Sequence, residues 1–426
     1  MADIIHTTEV APAGYHLTNA GVLPNEWTSR PLSSIVEEIT ETAGTRKVET
    51  VSISAGIGFV NQAEKFGKEL SGKQYEKYTV LHRGDFSYNK GNSNLYPQGC
   101  IYRLNDRTEA AVPNVFESFR VADGNPDYYE QLFISGFLNK QLYSKINRGV
   151  RDDGLLNLRG KDFYSCEVPC PPLAEQERIA EILMQCDKVI KLHQDKADEL
   201  KKLKKACLRG LFPEKGATIP KIRFPGHEDA WEQKKLGDIS NFITKGATPT
   251  TYGFSWQTDG IPFFRNDCIR NNAFVHGDFS YISESANEAL RRSEIQGNDI
   301  LIAITGDIGK VGIVPKTIKK ANINQHIARI RVELGEPYFV YQYLASDAIQ
   351  KDYKKIKTGI SMPQLSLEQI RGTVISMPTA KEQRAIGMFF ESLDKLISLN
   401  QQEIDKWIDK KKFLTQALLT GVVRVK

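Results

Sequence analysis

The sequence predicts an α+β protein in which two globular units occur in tandem, with two long helices that pair as an antiparallel coiled coil. Three observations lead to this fold class. A segment of 42 residues occurs twice, each copy carries an apolar stripe at helical spacing, and the stretch before each copy mixes short apolar runs with polar loops. The predicted order along the chain is therefore unit, helix, unit, helix.

The internal repeat aligns residues 171–212 with residues 378–419 without a gap, and 13 of these 42 positions are identical. A second match lies upstream at a similar distance, where three residues recur: Trp27, Leu32 and Ile35 as Trp231, Leu236 and Ile239. Because the spacing holds at both ends of the unit, the repeat includes the globular stretch as well as the helix.

The repeated segment predicts a long helix because its apolar residues recur at alternating spacings of four and three. Pro172 and Pro378 stand before the two helices, and Pro213 and Gly421 stand after them, as is typical of helix ends. Each helix is expected to span about 35 residues, or roughly 50 Å. The residues expected to form the seam between the helices are Ile179, Leu183, Ile190, His193 and Leu200, with Ile386, Phe390, Ile397, Asn400 and Trp407.

One position of the stripe is polar in both copies, His193 in the first and Asn400 in the second. A helix with one apolar stripe needs a partner in water, and the second copy supplies one within the same chain. Because midpoints meet in an antiparallel pair, His193 is expected to contact Asn400 and to fix the register at some cost in stability. The alternative is that both side chains lie at the edge of the seam and contact water.

The globular stretches predict mixed secondary structure. Strands are expected at Leu301–Ile304 and Ile327–Val332, and short helices at Asp127–Asn147 and Tyr338–Tyr353. The resulting division of the chain is a leader (1–19), a first globular domain (20–168), a central helix (169–213), a second globular domain (214–375) and a C-terminal helix (376–426).

Loops in both domains combine cations with amides, hydroxyls and aromatic rings. Arg and Lys suit phosphates and guanine, Asn and Gln suit adenine, and Ser or Thr suit phosphates and the thymine methyl group. Taken singly, each loop is also explained as an ordinary solvated surface. The residues predicted to contact DNA are Tyr88, Lys90, Asn92, Asn94, Arg148 and Arg151 in the first domain, and Thr248, Thr250, Tyr252, Arg265, Arg270, Lys310, Gln325, Lys357 and Ser361 in the second.

Composition disfavours several classes of protein. The net charge of +5 permits a nucleic-acid partner without requiring one. The first residues lack the basic and apolar segments of a secretory signal, and no apolar run approaches the roughly 18 residues of a membrane span, so no membrane partner is expected. The six cysteines form no CxxC pair and are expected to be reduced thiols, and the seven histidines show no metal-ligand spacing.

Two short motifs resemble catalytic ones only superficially. The segment Gly306–Lys310 lacks the spacing of a phosphate-binding loop and is better interpreted as a tight turn between strands. The segment Asn125–Tyr128 differs by one residue from an amino-methyltransferase tetrapeptide, but no glycine-rich cofactor motif accompanies it. A turn that caps the next helix is the favoured interpretation, and no catalytic residue is predicted.

Both predicted helices open on the same kind of motif. Residues 171–179 (PPLAEQERI) and 378–386 (PTAKEQRAI) share a proline, a Glu-Gln pair and an isoleucine. Other distinctive segments are 298–303, 323–326, 359–366 and 419–425. In these motifs, and over essentially its whole length, the chain resembles the specificity (S) subunit of type I restriction–modification systems, whose conserved helices begin with the pattern PPLxEQxxI.

This resemblance implies two target-recognition domains joined by an antiparallel pair of long helices. Each domain would read one half of a bipartite, asymmetric site in double-stranded DNA, while the helices set the gap and dock two methyltransferase (M) subunits. Two ATP-driven restriction (R) subunits can join. The resemblance further implies that S-adenosylmethionine, ATP and Mg²⁺ belong to these partners, that this chain binds no cofactor and is not itself an enzyme, and that it works in the cytoplasm of a bacterium or archaeon.

Two other functions fit the residues less well. A self-contained methyltransferase or nuclease would need a cofactor or metal motif, and we find none in the sequence. A coiled-coil scaffold or adaptor without sequence-specific DNA binding fits the repeat but leaves the loops of cations and amides unexplained.

Overall fold

The computed structural model describes residues 11–67, 72–91, 96–146, 156–214, 216–276, 279–359 and 363–425. The chain divides into two compact units: the first holds the chain up to Leu192 and from Glu403 onward, and the second holds His193–Gln402. Each unit contains one globular domain together with part of each long helix.

The first domain is built mainly from short strands. Its strands are β1 (Tyr15–Thr18), β2 (Gly21–Pro24), β3 (Thr28–Pro31), β4 (Val36–Glu38), β5 (Val51–Ser54), β6 (Gly58–Asn61), β7 (Thr79–His82), β8 (Phe86–Asn89), β9 (Cys100–Arg103), β10 (Glu109–Val112), β11 (Glu117–Val121) and β12 (Glu167–Cys170). Its helices are α1 (Gln62–Phe66), α2 (Pro126–Ile134), α3 (Asn139–Lys145) and α4 (Gly160–Tyr164), and the long helix α5 (Leu173–Gly210) follows.

The second domain has a similar composition of elements. Its strands are β13 (Glu232–Lys235), β14 (Ser240–Lys245), β15 (Ile261–Phe264), β16 (Ile269–Arg270), β17 (Ala273–Phe274), β18 (Ser280–Ile282), β19 (Glu294–Ile295), β20 (Ile300–Ala303), β21 (Val311–Ile313), β22 (Ala321–Ile323), β23 (Ile327–Val332) and β24 (Val374–Met377). Its helices are α6 (Glu284–Ala289), α7 (Pro337–Ala345), α8 (Asp347–Ile356) and α9 (Leu367–Arg371), and the long helix α10 (Ala380–Leu419) follows.

The main sheets of the two domains share one topology. The main sheet of the first domain has the strand order β4-β11-β8-β9, and that of the second has the order β14-β23-β20-β21, with antiparallel neighbours throughout. In each domain a separate antiparallel pair joins its beginning to its end, β3 with β12 and β13 with β24. The repeat visible in the helices therefore extends through the domains, where few residues are identical.

An ion pair with a buried carboxylate recurs at the same place in both main sheets. Asp85, just before β8, accepts hydrogen bonds from Nε and Nη2 of Arg120 at 2.7 and 2.9 Å. Asp299, just before β20, accepts the same two bonds from Arg331 at 2.7 Å each. Both carboxylates are about 1% exposed. Each pair therefore holds the start of one inner strand to the neighbouring strand in a fixed geometry.

The predicted lengths and ends of the long helices are confirmed. Helix α5 spans 38 residues and α10 spans 40. Pro172 immediately precedes α5, and Gly421 follows α10 with a φ of +69°, a left-handed conformation that glycine adopts without steric cost.

Within each unit the long helices run antiparallel. In the first unit, the partners of α5 residues move backward along the chain: Glu175 binds Arg424, whereas Asp187, three turns later, binds Lys411 at 2.6 Å. The second unit contains the equivalent of the Asp187–Lys411 pair, but here α5 supplies the lysine and α10 the aspartate. Lys204 of α5 binds Asp394 of α10 at 2.6 Å. Asp187 and Asp394 are repeat equivalents, as are Lys204 and Lys411, so one ion pair of the motif fixes the register in each unit.

The polar position of the stripe forms the contact that the sequence predicts. His193 Nδ1 lies 3.0 Å from Asn400 Oδ1 within the second unit. Asn400 is 6% exposed and donates its Nδ2–H to the carbonyl of Leu396, which turns its Oδ1 toward the imidazole. The expected contact is therefore confirmed. Of the alternative, in which both side chains lie at the edge of the seam and contact water, only the partial exposure of His193 holds, because Asn400 is buried.

The predicted seam residues divide into two groups. Ile179 and Leu183 are fully buried in the core of the first domain, and Ile386 and Phe390 are buried in that of the second. The other apolar seam residues are only half-buried: Ile190, Leu200, Ile397 and Trp407. Interpreting the stripe as a helix–helix seam is therefore incomplete, because its beginning anchors each helix to the globular domain before it.

Three predicted boundaries need correction. The leader (1–19) is cut in the wrong place, since β1 pairs with β2 and the hydroxyl of Tyr15 donates to the carbonyl of Gly421 at 3.2 Å. The helix expected over 127–147 is interrupted at Gly136, which has a φ of +75°. The helix expected over 338–353 is interrupted at Ser346, whose extended backbone ends α7 and begins α8.

Both motifs set aside as non-catalytic have the structural roles expected of them. The side chain of Asn125 caps α2 by accepting hydrogen bonds from the amides of Asp127 and Tyr128 at 2.9 and 3.0 Å. The segment Gly306–Lys310 forms the turn between β20 and β21. In the part of the chain that the structure describes, no helix is both long enough and apolar enough to cross a membrane.

Candidate nucleic-acid interface

Loops of the second domain converge on one edge of its sheets. Strands β15 and β22 run parallel and end side by side, and the amide of Asn324 donates to the carbonyl of Phe264 at 3.1 Å. Strands β14 and β20 both end beside the start of β23. We call this region the loop edge; it consists of residues 246–252, 265–268, 304–310, 324–326 and 357–359.

Backbone hydrogen bonds hold these loops to one another. The amide of Gly246 donates to the carbonyl of Ile327 at 3.1 Å, and that of Ile304 donates to the carbonyl of His326 at 2.9 Å. A Cβ at Gly246 would lie 2.0 Å from the carbonyl oxygen of Ile323. Only glycine therefore allows the first loop to approach the 324–326 loop this closely.

Two predicted contact residues, Thr248 and Gln325, meet at the loop edge. Thr248 Oγ1 donates to Gln325 Oε1 at 2.5 Å, and Gln325 Nε2 lies 3.1 Å from His326 Nε2. The Gln325 side chain is exposed, so both ends of an outward-facing amide are fixed before any ligand arrives. An amide held in this way can present one donor and one acceptor to a base edge.

Arg265 follows β15 directly and is held by two side chains that sequence reasoning missed. Its guanidinium carbon lies 5.4 Å from the ring centre of Trp256, and its Nη2 donates to Ser280 Oγ at 3.1 Å. Ser280 opens β18, which pairs with β15 across many intervening residues. A polar loop containing a tryptophan was visible in the sequence, but this long-range pairing was not.

The remaining predicted residues of the second domain differ in position. Thr250 and Tyr252 lie on an exposed turn of the loop edge, and Lys357 is exposed where α8 ends. Lys310 is half-buried at the end of its turn. Arg270 lies beyond the loop edge on β16, where it donates to the carbonyl of Asp267 at 3.1 Å.

The prediction that Tyr88 contacts DNA is wrong. Its side chain is fully buried, stacks on Phe163 with ring centres 4.7 Å apart, and donates its hydroxyl to the carbonyl of Gln98 at 2.7 Å. Burial raises the pKa of the Tyr88 hydroxyl well above its usual value. Tyr88 is a core residue because β8 is an inner strand of the main sheet.

Lys90 is also less available than the sequence suggests. Its ammonium group forms an ion pair with Glu117, and both side chains are largely buried. The other predicted contact residues of the first domain, and one of the second, lie outside the described residues: Asn92, Asn94, Arg148, Arg151 and Ser361. Within the described ranges, no group of three or more His, Cys, Asp or Glu side chains could hold a metal ion.

The repeated Glu-Gln pair has a structural role that the sequence alone did not reveal. Gln176 donates to the carbonyl of Pro171 at 2.9 Å and accepts from the amide of Asn125 at 2.8 Å. Gln383 repeats both bonds in the second unit, with Pro378 at 2.8 Å and Glu336 at 3.0 Å. One amide thus joins the start of a long helix to the first turn of a domain helix, α2 or α7.

The neighbouring glutamates bind the segments that follow the long helices. In the first unit, Glu175 accepts two hydrogen bonds from Arg424 at 2.7 and 2.8 Å and one from Trp27 Nε1 at 2.9 Å. In the second, Glu382 accepts two from Arg223 at 2.9 and 2.7 Å. In both units, the first turn of one long helix is therefore hydrogen-bonded to the segment that follows the other long helix.

Residues 24–202 and 228–406 each match the model of one protein family, the type I restriction modification DNA specificity domain. The two matches together cover most of the chain and coincide with the two copies of the repeat. The chain belongs to this family. It is a specificity subunit of a type I restriction–modification system, and specificity subunits recognise DNA.

Other specificity subunits are similar over long stretches. The protein assigned as the MjaX type I specificity subunit of Methanocaldococcus jannaschii is 24% identical over 441 residues, which cover 96% of each chain. The EcoBI specificity subunit of Escherichia coli is 25% identical over 314 residues, covering 70% of this chain and 66% of that protein. The crystal structure of the type I S subunit from M. genitalium has the same fold, with a TM-score of 0.59 at 16% identity, covering 92% of this specificity subunit and 96% of the other chain.

Proposed function

We propose that each globular domain of this specificity subunit reads one half of a bipartite, asymmetric DNA site. The observation that carries the proposal is the repetition of one main-sheet topology with different residues in the loops. Two related but non-identical readers on one chain suit a site with two different halves. At about 1–3 kcal/mol per mismatched base pair, three or four base pairs in each half give useful discrimination.

We further propose that the long helices set the gap between the half-sites and dock two M subunits, which two R subunits can join. In this proposal the specificity subunit is not catalytic and binds no cofactor of its own. S-adenosylmethionine, ATP and Mg²⁺ belong to the partners, and the complex acts in the cytoplasm, where the DNA is. The loops of cations and amides support this function over a coiled-coil scaffold, which none of the comparisons favours.

Exchange of the first domain is expected to change one half-site only. The segment from Val36 to Tyr164 can be replaced by that of another specificity subunit while β3, β12 and the long helices are kept. Methylome sequencing of cells that express the exchanged chain with its M subunit should show one new half-site, the old second half-site and the old gap. If both half-sites change, the domains do not read independently and the proposal is wrong.

Lengthening the central helix is expected to widen the gap. Four residues inserted near Ala197 add about 6 Å to α5, so the recognised gap should grow by one or two base pairs while both half-sites stay the same. The matched control replaces Lys196 and Glu199, both exposed, with alanine and leaves the length unchanged. An unchanged gap in the methylome of the insertion variant would contradict the role of the helices as a ruler.

A further inference from the structure

We propose that Arg265 determines specificity by reading a guanine in the half-site of the second domain, and that Trp256 and Ser280 are its positioning residues. This inference rests on the proposed function and deepens it, because it assigns one residue to one kind of base pair. Arg265 lies at the loop edge, directly after β15, and its side chain is exposed.

The guanidinium is held in place before DNA arrives. The cation–π contact with Trp256, at 5.4 Å, fixes the plane of the group, and the hydrogen bond to Ser280, at 3.1 Å, fixes its rotation. Trp256 is itself supported, since its ring packs edge-on against Phe263 of β15 with centres 5.2 Å apart. A fixed guanidinium loses less side-chain entropy on binding than a free one, which favours a directional contact.

The charge of Arg265 is also available, unlike that of two other arginines in this domain. Arg331 and Arg223 each donate two hydrogen bonds to a buried carboxylate, Asp299 and Glu382 respectively. Within the described residues, Arg265 has no carboxylate in ion-pair distance; its hydrogen-bond acceptor is a serine hydroxyl. Among the residues that the structure describes, Arg265 is thus held in position without an ion-pair partner.

The remaining donors match guanine. A guanidinium has five N–H donors in a planar fork, and the bond to Ser280 uses one of them. The major-groove edge of guanine offers two adjacent acceptors, O6 and N7, and a bidentate contact from arginine is the commonest specific contact in protein–DNA complexes. A phosphate would also accept these donors, but it would carry no sequence information, and this difference decides the test.

Among the described residues of the first domain, no cation directly follows the strand that corresponds to β15. Strand β5 of the first domain corresponds to β15, because Thr50, directly before β5, forms a parallel bridge with Ala111 of β10. Ala55 follows β5, and the next cation along the chain is Lys65. A guanine read by Arg265 would therefore belong to the second half-site alone, in keeping with an asymmetric site.

The test is the substitution Arg265→Lys in the chain purified with its M subunit. Methylation is measured on competing duplexes that carry each of the four bases at every position of both half-sites. Lysine keeps the charge but not the fork, so preference for guanine at one position of the second half-site should fall roughly tenfold to hundredfold. All other positions should keep their preferences, and Arg291→Lys, at an exposed arginine of the second domain outside the loop edge, should change none.

The roles of the positioning residues Trp256 and Ser280 are tested with separate substitutions. Trp256→Leu and Ser280→Ala should weaken the guanine preference at the same position, whereas Trp256→Phe, which keeps an aromatic face, should retain most of it. A uniform loss of methylation in Arg265→Lys with an unchanged motif would assign Arg265 to a phosphate and overturn the inference, as would no change at all. If the unsubstituted complex shows no bipartite motif, the proposed function itself fails, which is a different result.

Discussion

Replacing Glu175 with alanine is expected to lower the free energy of unfolding of the first unit by about 3 kcal/mol. The carboxylate is 4% exposed and accepts hydrogen bonds from Arg424, Trp27 and the amide of Val425. Its removal leaves the guanidinium of Arg424 and the indole N–H of Trp27 without their buried acceptor. Urea unfolding of the full chain, followed by fluorescence, measures the change.

The control for this substitution lies two residues away. Glu177 is on the same turn of α5 but is exposed, so Glu177→Ala should change the stability by less than about 0.5 kcal/mol. Equal effects of the two substitutions would show that the buried network does not hold the tail of α10 in place.

The pH dependence of the Glu175 effect follows from its pKa. Burial raises the pKa of Glu175, but the hydrogen bonds from Arg424 and Trp27 together outweigh burial and hold it below its usual value. The folded state therefore prefers the ionised form more strongly than the unfolded chain, whose glutamates titrate near about 4.3. The difference between wild type and Glu175→Ala should be complete above that pH and shrink as the pH falls below it.

Replacing Phe390 with alanine is expected to lower the free energy of unfolding of the second unit by about 3–5 kcal/mol. Phe390 lies on α10 and is fully buried, and its ring stacks on Phe212 with centres 5.9 Å apart. Truncation would leave a cavity between the end of α5 and the start of α10 inside this unit. Thermal or urea unfolding of the full chain would measure the loss of stability.

Phe413 provides the matched control on the same helix. Its side chain is 68% exposed, so Phe413→Ala should change the stability by less than about 0.5 kcal/mol. If Phe390→Ala were equally mild, the first turns of α10 would not belong to the core of the second domain.

The sequence predicted the long helices well because their signals are local and repeated. Spacings of four and three residues, together with Pro172 and Gly421, were enough to predict lengths and ends. The contact between His193 and Asn400 followed from symmetry alone, since equal positions meet in an antiparallel pair. Periodicity did not reveal that the apolar stripe of each long helix has two partners. Its first residues pack in the core of the preceding domain, and its later residues form a half-buried seam with the other helix.

The candidate interface was harder to predict because its geometry depends on strands that are distant in sequence. Composition identified Arg265 and Gln325 as DNA-contact candidates, but their fixing partners Trp256 and Thr248 come from other loops. The same reasoning failed at Tyr88, where an aromatic residue beside a polar loop belongs to an inner strand. Residue type indicates which chemistry is possible, whereas strand order decides which side chains reach the surface.

The amide that joins each long helix to its domain has a consequence for how such proteins acquire new targets. Gln176 and Gln383 make the same two bonds to backbone groups, so each attachment is independent of the side chains around it. The residues of the loop edge take no part in these bonds. Loop sequences can therefore diverge through many substitutions while the attachment of the domain to its long helix is kept. The recognised sequence can thus change in one domain at a time.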